Sequence, residues 1–317
     1  MKKAEVYILS GFLGSGKTTL LKRLLEDERK NDRKVAVMMN ELGNISIDSD
    51  EVGEDVALKE LLGGCICCTM SGQVEAQMQG LLILEKPDAI YVETTGAAHP
   101  VEVIDAMLSP LFADKIDLKG IISTIDGKRW LERAKMSPQL QRLIIEQARH
   151  ADCLIVNKAS ELSEKEKADI SISLQSINPK VNCILTDYSK VPLHNIRNLT
   201  SSGTKESADY QPLNTKSLGL GTYVHTFQST VSRERFEHFL RGLPDTIYRI
   251  KGYIKFHGSP YPELFQYSYG MPSFLKEDMN IQLNMVLIGE NVDWNKIQTE
   301  LTELENENPW FHSVLKG

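Results

Sequence analysis

One eight-residue segment near the start of the chain constrains the fold more than any other feature. Gly11–Thr18 reads G-x-x-x-x-G-K-T, with an apolar run before it and leucines at helical spacing after it. The backbone N–H groups of such a strand-to-helix loop can surround phosphate oxygens, and the helix dipole adds positive potential. The pattern predicts a phosphate-binding loop at the start of a layered α/β domain, rather than a glycine turn that binds nothing.

The side chains of this loop indicate a nucleoside triphosphate and a magnesium ion. Lys17 is predicted to reach the outer phosphates, and the Thr18 hydroxyl is predicted to bind Mg²⁺. The predicted nucleotide contacts in this part of the chain are Gly11, Gly14, Ser15, Gly16, Lys17, Thr18 and Thr19.

Two acidic residues are candidates for catalysis together with Lys17 and Thr18. Glu93 follows a predicted strand and begins the segment Glu93-Thr94-Thr95-Gly96, at the carboxyl end where ligands gather in parallel sheets. Glu93 is predicted to orient water or to share Mg²⁺ with Thr18, and the Gly96 N–H is predicted to approach the γ-phosphate. Glu41 follows another predicted strand and is the second candidate acid. For both acids the alternative is a solvated carboxylate at a strand end.

Two other polar residues at strand ends are given structural interpretations. Asp126 closes the fourth predicted strand and is interpreted as a turn residue or a helix cap. His99 lies beyond the Glu93 segment and is interpreted as local structure, with a metal or phosphate contact as the alternative.

Short apolar runs alternate with helical stretches through the first two-thirds of the chain. Nearly continuous apolar runs are typical of strands that are buried on both faces of a parallel sheet. Their alternation with helices predicts a P-loop domain with a mostly parallel sheet over residues 1–199. The predicted strands are Glu5–Leu9, Val35–Met39, Ala89–Val92, Gly120–Ile125, Cys153–Val156 and Asn182–Leu185.

A change of composition separates this region from a smaller one. Small and polar residues replace the apolar pattern over 200–219, which predicts a linker. Residues 220–317 are predicted to form a small C-terminal α+β domain with its helices on one face. Its predicted elements are strands near 223–228, 247–257, 263–269 and 282–288, a helix over 232–241 and a final helix from Asp293.

Three of the five cysteines lie within four residues, as Cys65, Cys67 and Cys68. Thiolates are soft ligands that favour Zn²⁺ and related ions, so the cluster predicts a site for Zn²⁺ or Co²⁺ with one position left open. Buried cysteines that act as small hydrophobic residues, or a redox pair, are the alternatives. Cys153 and Cys183 lie in apolar strands and are predicted to be core residues.

Charge and composition narrow the range of partners. The net charge is −7, from 36 basic and 43 acidic side chains, which argues against nucleic acid or an anionic membrane as the main partner. No apolar run approaches the roughly 18–20 residues that span a bilayer, and Glu5 interrupts the N-terminal apolar stretch. A cytoplasmic protein is therefore expected, and its oligomeric state is left open.

Taken together, these motifs resemble the CobW-like branch of the metal-centre GTPases, which are relatives of the GTPases that load nickel into urease and hydrogenase. The resemblance covers nearly the whole chain and implies GTP hydrolysis coupled to delivery of zinc or cobalt to a client metalloprotein. It also implies that Asn157 and Lys158 contact the guanine base. The features that carry it are Gly11–Thr18, Asn40-Glu41-x-Gly43, Cys65-x-Cys67-Cys68, Glu93–Gly96, Asn157-Lys158 and Arg249-x-Lys251-Gly252.

The chain departs from the family pattern in two places. The family's guanine motif is Asn-Lys-x-Asp, whereas this chain has Ser160 at the last position. A hydroxyl cannot accept two hydrogen bonds from guanine as a carboxylate can, so weakened preference for GTP over ATP is expected unless another group, such as Glu161, replaces the carboxylate. Met39 and Asn44 stand where family members often carry further acids around Glu41.

The expected mechanism is a slow switch, because no arginine finger or water-positioning glutamine is evident in the sequence. Two other functions fit the same motifs. One is a P-loop ATPase or phosphotransferase in which the cysteines are structural, and the other is a zinc sensor or buffer whose conformation the nucleotide sets.

Overall fold

The computed structural model describes residues 2–39, 57–60, 71–199, 220–268 and 270–306. Contacts divide the chain into two compact units. The first unit holds the described residues up to Met107 and those from Lys115 to residue 199. The second holds Leu108–Asp114 and the described residues from Gly221 onward.

The described strands of the first unit form one parallel sheet. Their order is β3-β2-β4-β1-β5-β6-β7, and every neighbouring pair is parallel. All residues of β2, β4 and β6 are buried, as the continuous apolar runs predict. The strands are β1 (Ala4–Ser10), β2 (Val35–Met39), β3 (Ala57–Glu60), β4 (Ala89–Glu93), β5 (Ile116–Asp126), β6 (Cys153–Asn157) and β7 (Asn182–Leu185).

Helices alternate with these strands. The first helix packs Leu20, Leu21 and Leu24 into a core that also contains Tyr7 and Tyr91 from the sheet. A π-helical turn, Leu81–Glu85, continues the second helix. The described helices are α1 (Lys17–Lys30), α2 (Ser71–Gly80), α3 (Pro100–Met107), α4 (Gly127–Leu131), α5 (Pro138–Arg149), α6 (Glu164–Ile177) and α7 (Leu193–Arg197).

The six strands predicted for this unit are present, but two details of the prediction were wrong. The short strand β3 was not predicted, because its four residues Ala57–Glu60 end in two charged residues and form no apolar run. Strand β5 begins at Ile116, not at Gly120. Its first part alternates buried residues with the partly exposed Asp117 and Lys119, a pattern unlike that of the fully buried strands.

The second unit is an antiparallel sheet with two helices. Its strand order is β11-β10-β9-β12-β8, and β9 pairs antiparallel with both β10 and β12. The helices contribute to one apolar cluster with the sheet, which confirms the α+β prediction. The elements are β8 (Leu220–Thr226), α8 (Arg233–Gly242), β9 (Ile247–Ile254), β10 (Glu263–Ser268), β11 (Met271–Lys276), β12 (Asn284–Glu290) and α9 (Trp294–Asn306).

Strand β11 was missed by the sequence prediction. It lies at the edge of the sheet, and all of its residues but Phe274 are exposed. An exposed edge strand does not need the apolar alternation by which strands are recognised in a sequence.

A short segment from an earlier part of the chain belongs to the second unit. Asn284 on β12 is fully buried, and its amide nitrogen donates to the carbonyl oxygen of Pro110 at 2.9 Å. The Thr226 hydroxyl donates to the other end of the same amide at 2.8 Å. The first bond connects Leu108–Asp114 with β12, and the second connects β12 with β8.

Within the described ranges, the chain has no helix whose length and apolar character would allow it to cross a bilayer.

Candidate nucleotide-binding site

Four neighbouring strands of the parallel sheet end at the same place. In the sheet register Leu9 pairs with Glu93, and Ser10 pairs with Ser123. On the next strand Asp126 pairs with Asn157. The carboxyl ends of β4, β1, β5 and β6 therefore converge on the loop that leaves β1, the position where open α/β sheets bind ligands.

The glycine loop is shaped by close backbone contacts. Gly11, Gly14 and Gly16 have φ angles of 132°, 76° and 109°, which favour glycine. At Gly16, a Cβ atom would also lie 2.2 Å from the Asn157 amide nitrogen. The loop is tied to β5 by a hydrogen bond of 2.6 Å between the hydroxyls of Ser15 and Thr124.

Lys17 begins α1 and turns back into the loop. Its ammonium group donates to the carbonyl oxygens of Gly11 at 2.8 Å and Phe12 at 3.5 Å. Only 7% of the residue is exposed, and burial lowers the pKa of the ammonium group while the neighbouring Glu93 carboxylate opposes that shift. The negative charge of bound phosphate would favour the protonated lysine further.

Thr18 and Glu93 come from different elements and meet at the end of β4. The Thr18 hydroxyl donates to Glu93 Oε1 at 2.7 Å, and Glu93 is buried. A hydroxyl and a carboxylate side by side are oxygen ligands of the kind that Mg²⁺ prefers. The pair therefore fits the magnesium ion that the loop pattern predicts.

The turn that contains Gly96 lies against the tip of the loop. A Cβ atom at Gly96 would lie 2.6 Å from the Leu13 backbone nitrogen, so only glycine allows this approach. The side chain of Gln147, which is buried on α5, donates to the carbonyl oxygens of Gly96 at 3.1 Å and Ala98 at 3.3 Å. The turn is thus held next to the loop where a γ-phosphate contact was predicted.

Asn157 connects the phosphate loop with the loop after β7. Its amide nitrogen donates to the Ser15 carbonyl oxygen at 3.0 Å and to the Ser189 hydroxyl at 3.3 Å. Its amide oxygen accepts from the backbone N–H groups of Lys158 at 3.0 Å and Ser189 at 3.1 Å. The Ser189 hydroxyl donates in turn to Gly16 O at 3.1 Å. All of Asn157's polar atoms are therefore used to hold three loops together.

The residues after Asn157 face two carboxylates. The Lys158 ammonium donates to Asp126 Oδ2 at 2.5 Å. Burial alone would raise the pKa of Asp126, but this bond and one from the Arg129 N–H together hold it below its usual range. That N–H bond makes Asp126 the N-cap of α4, as predicted. Ser160 donates from both its N–H and its hydroxyl to Asp187 Oδ1, at 2.9 and 2.8 Å.

Several predicted residues are placed away from these contacts or lie outside the described residues. Thr19 is exposed on the first turn of α1. Glu41 and the cysteine cluster Cys65, Cys67 and Cys68 lie outside the described residues. Within the described part of the chain, no three His, Cys, Asp or Glu side chains are grouped as a metal site.

The remaining predicted residues have structural surroundings. His99 Nδ1 accepts from the Val101 N–H at 3.3 Å, which supports the local interpretation of this residue. Cys153 is fully buried in the apolar cluster that contains the leucines of α1, whereas Cys183, on β7, packs against a second cluster that contains Leu154. Burial raises the pKa of the Cys153 thiol to about 12, and burial also raises that of Cys183.

Sequence reasoning missed five residues of the site. The Arg129 guanidinium donates to the Leu13 carbonyl oxygen at 2.6 Å and lies 5.2 Å from the centre of the Phe12 ring. The other four are Thr124, Gln147, Asp187 and Ser189, described above. Two of them carried a signal in the sequence: Thr124 lies near the carboxyl end of the predicted strand Gly120–Ile125, and Asp187 follows the predicted strand Asn182–Leu185.

The protein has the fold and the site of a P-loop nucleoside triphosphate-binding protein. Its glycine loop connects β1 of a parallel sheet with α1, and it holds a buried lysine next to a threonine–glutamate pair. Residues 5–185 match the family described as CobW/HypB/UreG, nucleotide-binding domain. Residues 220–305 match the cobalamin synthesis protein cobW C-terminal domain. The chain belongs to this family.

Three known proteins illustrate the relationship. The zinc chaperone YeiR of Escherichia coli is 31% identical over 188 residues, which are 59% of this chain and 56% of that protein. A zinc-regulated GTPase metalloprotein activator of Schizosaccharomyces pombe is 28% identical over 351 aligned positions, covering 90% of this chain and 82% of that protein. The crystal structure of Zn(II)-bound YjiA GTPase from E. coli shares the fold, with a TM-score of 0.51 and 21% identity over 96% of this chain and 99% of that one.

Proposed function

We propose that this chain is a GTP-binding and GTP-hydrolysing metallochaperone that couples its nucleotide state to the binding and delivery of zinc. The observation that carries the proposal is the hydrogen bond between Thr18 and Glu93 beside the buried Lys17. These groups are what a P-loop enzyme needs to bind a triphosphate and its magnesium ion. The zinc half is supported by Cys65, Cys67 and Cys68 and by the names of the relatives, which are a zinc chaperone and a zinc-regulated GTPase metalloprotein activator.

The nucleotide chemistry is assigned to residues of the first unit. Lys17 and the backbone of Gly11–Gly16 would bind the phosphates, while Thr18 and Glu93 would hold Mg²⁺, whose charge offsets that of the phosphates. Arg129 and Gln147 both donate to backbone carbonyl oxygens. Neither is therefore assigned to the transition state, and turnover without a partner is expected on the order of 10⁻² per second or slower.

The coupling is assigned to the chain between β2 and α2, which carries Glu41 and the three cysteines. Met39, the last residue of β2, pairs in register with Glu93. Hydrolysis removes the contacts of the γ-phosphate near Glu93 and Gly96. We propose that the change alters the arrangement of the thiolates and releases zinc to a client metalloprotein.

Each part of this proposed function is assigned to one of the domains predicted from the sequence. Residues 1–199 would form the GTPase domain, 200–219 the linker and 220–317 the domain that contacts the client.

Phosphate release from GTP by the full chain tests the enzymatic part. We expect slow release by the unchanged protein and a loss of at least about 100-fold in Lys17→Ala, because the ammonium group stabilises charge on the outer phosphates. Lys30→Ala is the matched control, since Lys30 is exposed on the last turn of the same helix. Transfer of the phosphate to a small molecule would support a phosphotransferase instead. Hydrolysis that is insensitive to Lys17→Ala would refute the assignment.

A further inference from the structure

The loop after β7 carries a carboxylate at the place where the sequence lacks one. Position 160 is serine, a residue that by itself predicts a weakened preference for guanine. Both donors of Ser160 are used in hydrogen bonds to Asp187 Oδ1. The serine therefore holds a carboxylate next to itself instead of facing a ligand with its hydroxyl alone.

Asp187 is fixed in position by the same network that shapes the phosphate loop. The Ala159 N–H donates to the Thr186 carbonyl oxygen at 3.0 Å, and the Thr186 hydroxyl donates to Lys190 O at 2.7 Å. Asp187 is followed by Tyr188 and Ser189, and Ser189 is hydrogen-bonded to both Asn157 and Gly16. Asp187 therefore lies on a loop that is hydrogen-bonded to the loop predicted to hold the phosphates.

The backbone of these two loops is in an unusual conformation. Among the described residues, six other than glycine have positive φ. Three of the six are Lys158 at 60°, Tyr188 at 50° and Ser189 at 52°. Such conformations cost energy and concentrate at ligand sites. Their presence on both sides of the Ser160–Asp187 contact is consistent with a binding role for it.

The chemistry of the carboxylate selects among bases. An ionised carboxylate only accepts hydrogen bonds and has about four lone-pair positions, of which Ser160 uses two on Oδ1. The two hydrogen bonds from Ser160 also hold the pKa of Asp187 below its usual range, so the group is ionised at neutral pH. Guanine presents two adjacent donors, its N1–H and its 2-amino group, whereas adenine presents an acceptor at N1.

We infer that Asp187 is the residue that determines guanine specificity in this protein, with Ser160 as the positioning residue that holds it. The inference rests on the proposed nucleotide site and deepens it, and it replaces the expectation of weakened guanine preference. Glu161, the other carboxylate near this position, is exposed at the end of the turn Ala159–Glu161 and is not assigned this role.

Competition binding to the full chain with GTP, inosine triphosphate, xanthosine triphosphate and ATP tests the assignment. The unchanged protein should prefer GTP over inosine triphosphate, which lacks the 2-amino group, by roughly tenfold or more. In Asp187→Asn the two Ser160 donors keep the amide oxygen, so the amide nitrogen faces the base, where it is unfavourable beside the two donors of guanine but can donate to the 2-carbonyl of xanthine. We therefore expect GTP affinity to fall roughly 10- to 100-fold and xanthosine triphosphate to become the tighter ligand.

Two comparisons keep the outcomes separate. Glu161→Gln removes a neighbouring carboxylate with the same change of charge and should leave the order of affinities unchanged. A gain in xanthosine triphosphate binding cannot result from misfolding, so it would establish the role of Asp187 directly. If the unchanged protein binds all four triphosphates equally and Lys17→Ala abolishes that binding, the phosphate site stands and the Asp187 assignment is refuted. The assignment is also refuted if Asp187→Asn keeps the original order, whereas absence of any triphosphate binding would overturn the proposed function itself.

Discussion

The contact between Thr18 and Glu93 is the single interaction on which most of the proposed chemistry depends. The two residues are far apart in sequence, and the pairing of β1 with β4 brings the end of each strand to the same edge. The Thr18 hydroxyl donates to the Glu93 carboxylate, so the two oxygens lie side by side, as the ligands of one magnesium ion would. Replacing Glu93 by glutamine removes the carboxylate charge and keeps the shape of the side chain, so it tests the proposed role in binding Mg²⁺.

Glu93→Gln should weaken the binding of the Mg²⁺ that GTP hydrolysis requires, without removing the phosphate loop. We expect half-maximal activity to require about 10- to 100-fold more Mg²⁺, since losing a carboxylate near a metal has effects of that size. Glu102→Gln is the matched control, because Glu102 is exposed on the first turn of α3. A magnesium titration of hydrolysis checks the prediction, and equal curves for the two variants would contradict it.

At the residue scale, the sequence could predict the side chains that belong to a motif but not those that reach the site from elsewhere. Lys17, Thr18 and Glu93 come together as their spacing indicated. Asp187 reaches Ser160 across 27 residues of chain, and its direction depends on the loop after β7. A strand end can be recognised in a sequence, whereas the direction of a side chain beyond it cannot.

At the scale of elements, the presence of an apolar run decided which strands the sequence could predict. Strands β2, β4 and β6 are buried at every residue, and their apolar runs were recognised. Strand β11 is an exposed edge and β3 ends in two charged residues, so neither carries the pattern. Helix ends are a further element-level feature, because side-chain caps satisfy backbone N–H groups that the helix leaves without partners.

Helix α6 offers a direct test of such a cap. The Ser163 hydroxyl accepts from the Glu166 N–H at 3.3 Å, while the Ser163 N–H donates to the Glu166 side chain at 2.8 Å. Ser163→Ala should lower the free energy of unfolding by about 1 kcal/mol. Ser171→Ala, within the same helix, should be neutral or slightly stabilising, because alanine has the higher helix propensity. Urea denaturation followed by circular dichroism compares them, and an equal loss in both variants would rule out the cap as the cause.

At the scale of the whole molecule, contacts far apart in sequence produce an organisation that the sequence pattern did not predict. Leu108–Asp114 lies between α3 and β5 in sequence but belongs to the second unit, where Asn284 binds Pro110. The apolar pattern of a seven-residue segment gives no information about a partner 174 residues away. The fold class of each unit was predictable, since it depends on the periodicity of many residues.

The protein is proposed to bind Zn²⁺ or a similar ion through its three clustered cysteines, and the bound nucleotide is proposed to control the affinity for that ion. The other two thiols provide an internal control, because burial raises the pKa of Cys153 to about 12 and also raises that of Cys183. Neither is expected to form a thiolate at neutral pH or to bind the ion.

The most direct measurement is a Co²⁺ titration of the fully reduced chain, followed in the near-ultraviolet thiolate-to-metal band. It is made with and without a non-hydrolysable GTP analogue, and the control is the variant with serine at Cys65, Cys67 and Cys68. We predict a stoichiometric band that is absent from the variant and whose apparent affinity changes with the nucleotide. The claim of coupled metal delivery would be contradicted if the band is absent, if it persists in the variant, or if the apparent affinity for Co²⁺ does not change with the nucleotide.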